Sequence, residues 1–164
     1  MPSSHTPGPT KRSEADALVT EKGKELEARR LYDEVVRSRE APLDLRQRAL
    51  VGRGRAFLLQ GQPQGVIKEI GDSFFESPKT EDLVYTAERA EATLLMAKAY
   101  MAMGGKADLE NAEVWLLRVP ALYAGHRSAY LEACDLLVDV YGKLKNAARA
   151  DEWRARKQAL GGGA

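Results

Sequence analysis

Ala49–Pro78, ALVGRGRAFLLQGQPQGVIKEIGDSFFESP, is the stretch from which the rest of the chain becomes readable. Leu50, Gly54, Phe57 and Leu58 recur at i, i+4, i+7 and i+8, one stripe of an α-helix. A glycine inside a helix costs about 1 kcal/mol against alanine. Gly54 therefore implies a second helix approaching so closely that a side chain would hold it off. Gly61 follows the last apolar residue and suits the left-handed conformation that ends a helix. Pro63 fits the first turn of the next helix, where its missing N–H is not needed. Val66, Ile67 and Ile70, with Phe74 one turn on, form the answering stripe, and Pro78 stops it. The stretch encodes two antiparallel helices joined by a tight turn.

Around it lie 164 residues, enough for one compact domain or a short repeat array. A hydrophobic content of 44% can build a core. A mean hydropathy of -0.42, with no run near the ~18 apolar residues a spanning helix needs, excludes a membrane-spanning reading. Charge is balanced, 25 basic against 24 acidic residues, which argues against a dedicated nucleic-acid binder. Isoleucine occurs only at 67 and 70, while Ala, Leu, Glu and Arg dominate, so the composition is helical. Cys134 is the single cysteine and no intrachain disulfide can form. The opening MPSSHTPGPTKR lacks the apolar core of a secretory signal, so the expected compartment is the cytoplasm.

Residues 1–12 hold three prolines and no apolar periodicity, and are expected to form a disordered arm. Ser13 is a candidate helix cap, with Ala15, Leu18 and Val19 giving a short apolar face that ends near Gly23. Leu26, Ala28, Leu31, Tyr32, Val35 and Val36 predict a second helix running to about Glu40. Thr80 opens a long helix over Glu81–Met103, and Ala112, Leu116 and Val119 mark its partner, which Pro120 bends or ends. Ser128 is the expected cap of a helix carrying Leu131, Cys134, Leu137, Val138 and Tyr141. Ala150 and Trp153 lie on the last helix, a solvating end cap with a basic back, before the flexible tail 161–164.

Leu50, Gly54, Phe57, Gly61, Val66, Ile70 and Pro78 resemble a tetratricopeptide repeat in kind and order. Weaker echoes place turn marks at Gly23, Gly104 and Lys145, so the resemblance covers roughly residues 13–158 and the repeat domain is expected over 13–160. It implies an all-α, right-handed α-α superhelix of three to four antiparallel helix pairs. In that family the first helix of each pair lines a concave groove. Carried onto this chain, the groove positions are Arg48, Val51, Arg55, Leu58 and Leu59, then Glu91, Leu94, Lys98, Met101 and Ala102. Glu132, Asp135, Asp139 and Lys143 complete them. The implied groove is basic and apolar at one end and acidic at the other. Family members that clamp a C-terminal carboxylate use asparagine at set first-helix positions, and none stands at those positions here.

Motifs of chemistry fail on inspection. Gly52-Arg53-Gly54 begins a G-x-G-x-x-G loop, but Phe57 replaces the third glycine and no strand precedes it. Gly105-Lys106 resembles the end of a phosphate loop, yet Ala107 replaces the Ser or Thr. His5 and His126 lie far apart without ligand spacing. Cys134 sits on an apolar stripe, the place of a core residue. The expected function is therefore non-enzymatic and cofactor-free: a small adaptor that holds a peptide or helix of another protein in its groove. Two alternatives stand beside it. One is a self-assembling structural subunit, a homo-oligomer. The other is a helical nucleic-acid regulator using the basic stretch Arg46–Arg55.

Overall fold

The computed structural model describes residues 9–19, 24–76 and 86–161. Among these residues there is no strand, and eight helices follow one another: α1 (Pro9–Val19), α2 (Glu25–Arg37), α3 (Leu43–Leu59), α4 (Pro63–Ile70), α5 (Ala87–Met103), α6 (Lys106–Leu122), α7 (Arg127–Lys143) and α8 (Ala147–Gly161). α4 continues into a π-helical segment, Gly71–Glu76. The all-α expectation holds.

Each helix packs on its neighbour in sequence, and α1, α3, α5 and α7 also pack each on the next odd-numbered helix. No even-numbered pair packs to a comparable extent. An edge-on contact of Phe75 with Trp115, ring centroids 4.7 Å apart, links the end of the α4 segment to α6. Three apolar clusters follow in chain order. The first holds Tyr32, Val35 and Leu45, and the second Val66, Ile70, Phe74 and Leu95. The third holds Leu116, Leu137, Val140, Tyr141 and Trp153.

The central hairpin forms as its spacing requires. A Cβ on Gly54 would lie 3.1 Å from Leu95 and 3.2 Å from Ile70, so side chains of α5 and α4 occupy the space the glycine leaves. Gly61 has φ +69°, and Pro63 opens α4. The left-handed turn recurs at Gly104 (φ +77°) and at Lys145 (φ +58°), both turn marks expected from the sequence. The first and last of these turns share their hydrogen bonds. Gln60, Gly61 and Gln62 donate N–H to the carbonyls of Ala56, Leu58 and Phe57, and Leu144, Lys145 and Asn146 donate to Val140, Gly142 and Tyr141. This double closure satisfies carbonyls that a helix end leaves open.

Several boundaries move. Residues 9–12, assigned to the arm by composition, belong to α1, which begins at Pro9, so Ser13 lies inside the helix. Proline is tolerated in a first turn, and the composition hid this. α2 stops at Arg37, short of Glu40, because Ser38 turns extended (ψ 118°) on the way to Pro42. Thr86 caps α5, its hydroxyl accepting from Arg89 N–H at 3.2 Å. α6 runs through Pro120 to Leu122: the ladder resumes where Tyr123 N–H donates to Val119 at 2.8 Å. α7 starts at Arg127 with His126 as its cap, two residues before the expected Ser128. Gly23, Pro78, Thr80 and residues 81–85 lie outside the described residues.

Candidate functional site

Two adjoining clefts open along the row of odd-numbered helices. The larger, about 270 Å³, is walled by Arg55 of α3, by Glu91, Leu94, Leu95 and Lys98 of α5, and by Arg127, Ser128, Ala129 and Glu132 of α7. His126, the cap of α7, stands at its edge. The smaller, about 210 Å³, is walled by Arg12 and Asp16 of α1, Arg48 and Val51 of α3, and Glu88 of α5. Arg55, Ala87 and Glu91 belong to both clefts, so the two form one run across α1, α3, α5 and α7. Helical spacing explains the alignment: Arg48, Val51 and Arg55 stand at i, i+3 and i+7 on α3, and Glu91, Leu94 and Lys98 repeat that spacing on α5.

The charges on this wall are cross-paired between helices. Arg48 Nε meets Glu88 Oε1 at 3.0 Å, Arg55 bonds Glu91, and Lys98 bonds Glu132. The expected gradient, basic at one end and acidic at the other, is therefore largely cancelled into a ladder of opposite charges. Each rung joins one odd-numbered helix to the next. Such half-exposed pairs contribute about 0–1 kcal/mol each; their larger effect is to fix which side chains line the wall. Behind them Leu94 and Leu95 form a buried apolar floor, with Val51 beneath the smaller cleft.

Seven of the fourteen groove positions expected from the sequence line the clefts: Arg48, Val51, Arg55, Glu91, Leu94, Lys98 and Glu132. Seven do not, the exposed Ala102 and Lys143 among them. Leu58 and Met101 are half-buried against the core, and Leu59 is 58% exposed outside the clefts. Asp135 bonds Lys157 of α8 at 2.6 Å, and Asp139 pairs with Lys143 within α7 at 3.5 Å. Asp16, Ala87, Glu88, His126 and Arg127 were missed. All but Asp16 sit at helix beginnings, where no stripe marks a face; Arg127 also donates to the Leu160 carbonyl at 2.7 Å.

The other singled-out groups fall elsewhere. Arg53 is held between Asp33 (2.8 Å) and Glu69, away from Arg48 and Arg55, so the stretch Arg46–Arg55 is divided over faces and does not form one basic strip. Cys134 is fully buried in the third cluster, and burial first, then the Asp135 charge, raises its thiol pKa. Among the described residues no three of His, Cys, Asp and Glu gather as a metal-holding group, and no helix is long and apolar enough to cross a membrane. No known family, curated protein or solved structure matches the chain.

Proposed function

We propose that the chain is a tetratricopeptide-like solenoid, a right-handed superhelix of helical hairpins, that binds a peptide or helix of another protein along its odd-numbered helices. The cleft run across four successive odd-numbered helices carries this reading. Rows in which inner helices touch and outer ones do not curve toward the inner side, the geometry of solenoids with a concave binding face. The left-handed turns at Gly61, Gly104 and Lys145 support hairpin repetition independently.

The occupant follows from the wall. An apolar side chain enters between Leu94 and Ala129, and flanking charges of both signs exchange with the Arg55–Glu91 and Lys98–Glu132 rungs. The charges set register and encounter more than affinity, while the buried anchor supplies most of the affinity. Activity as an adaptor needs no reactive group and no cofactor.

Selection of a random peptide library on the immobilised protein tests this. The expected consensus is one large apolar residue bracketed by residues of opposite charge. Ala87→Trp, an exposed position shared by both clefts, should abolish the selection with helicity unchanged by circular dichroism. A consensus that survives Ala87→Trp places binding elsewhere.

A further inference from the structure

We infer that the outer face of α6 is a self-complementary seam on which a second copy of this chain docks antiparallel. α6 lines neither cleft, so this surface is separate from the proposed groove. Its exposed residues form an ordered pattern. Val114 is 54% exposed at the centre, and the small residues Ala107 and Ala121 stand seven before and seven after it, also exposed. Heptad spacing keeps three such positions on nearly one line, and alanine at both ends lets two helix backbones approach closely.

Glu110 and Arg118 flank that line. In an ideal helix Glu110 lies about 40° to one side of Val114 and about 6 Å toward the N-terminus, and Arg118 about 40° to the other side and about 6 Å toward the C-terminus. A two-fold axis lying in the seam between the two Val114 residues and perpendicular to both helices reverses the axial offset, so Glu110 of one copy stands level with Arg118 of the other across the line. In an antiparallel pair, Arg118 of each copy therefore meets Glu110 of the other, Val114 meets Val114, and Ala107 meets Ala121. Both charges are exposed, and neither has an ion-pair partner among the described residues; Arg118 rests over the Trp115 ring at 4.0 Å, on its own side of the line. Most charges on the other helices are already paired within the chain.

A second copy fits better than an unrelated helix, because one surface supplies both halves of the match under a single symmetry operation. The seam is narrow against the ~1,600 Å² of a standard stable interface. The dimer is accordingly reversible and forms with rising concentration.

Sedimentation equilibrium of the full chain, from low to high micromolar, reads it directly. Wild type should pass from monomer to dimer. Glu110→Arg and Arg118→Glu should each weaken the dimer at least ~10-fold, since each sets two like-charged contacts across the axis. Mixing the two single variants should restore dimerisation, because the mixed pair has both contacts of opposite sign, and the double variant should dimerise alone. Far-UV circular dichroism confirms that these exposed substitutions leave the fold intact. A monomer at every concentration overturns the proposal. So does a dimer indifferent to either single variant, or a mixture that stays monomeric.

Discussion

The two ends of the molecule solve the same packing problem with different materials. Around α1–α3 the buried residues are mostly small, namely Ala15, Ala28, Ala41 and Ala49, with Tyr32 the one large ring among them. That ring covers Gly52 so closely that a Cβ there would come within 2.4 Å of it. Polar ties surround it: Tyr32 donates to Asp16, Arg12 reaches Asp16 at 3.0 Å, and Lys11 bonds Glu34. Around α6–α8 the filling is apolar and large: Leu116, Val119, Leu137, Val140, Tyr141 and Trp153 interdigitate. The pairing of successive helices is alike at both ends. A helical hairpin array therefore asks that each interface be filled, not that each be filled alike, and the choice of filling decides what disturbs it.

Substitutions that strike one filling and spare the other sharpen the contrast. The largest effect is expected from Leu137→Ala, which removes a fully buried side chain and should lower unfolding free energy by about 3–4 kcal/mol in urea titration. Gly52→Ala comes next, forcing a methyl group against the Tyr32 ring at a cost of about 2 kcal/mol by the same measurement. Equal losses at both sites would show that the two interfaces do not differ in the proposed way. Asp16→Ala leaves the buried Tyr32 hydroxyl without its acceptor and should cost about 1–2 kcal/mol, with hydrogen exchange rising first in α1.

Alkaline titration separates the ends less sharply, because the phenol shift has the same sign at both. Burial, then the Glu113 charge, pushes the Tyr141 phenol up to about 12, and burial with the Asp16 contact raises Tyr32 further. A raised folded pKa means that the unfolded chain gives up its proton first. The stability held by neutral Tyr141 is complete below the ordinary phenol pKa of about 10 and is lost as pH rises through about 12. Thermal melts across that window should fall, and Tyr141→Phe should flatten part of the fall. The smallest effect is a gain. Lys145→Gly relieves a left-handed non-glycine residue and should raise stability by about 1 kcal/mol, making the last turn chemically like Gly61 and Gly104.

The residues that announced the hairpins did so through local rules. Gly61 and Gly104 were legible because a left-handed helix end excludes most side chains, and Lys145 was found only by its register with them. Val51, Arg55, Leu94 and Lys98 were legible as groove positions implied by the tetratricopeptide resemblance. Gly52 was read only against a nucleotide-loop pattern; its reason is Tyr32, twenty residues earlier on another helix. The pairing of Arg55 with Glu91 and Lys98 with Glu132 was equally hidden, since each rung joins residues on helices far apart in sequence. His126 and Arg127 were passed over because the first turn of a helix carries too few residues to show a stripe.

By itself the sequence determined that the chain is helical and where most helices turn back, because spacing, glycine and proline act within a few residues of where they stand. Tertiary structure alone decided that a ring stands over Gly52 and that the charges of α3, α5 and α7 neutralise one another across the clefts. Those outcomes depend on distances between separate helices, and packing sets such distances only once neighbouring helices have met.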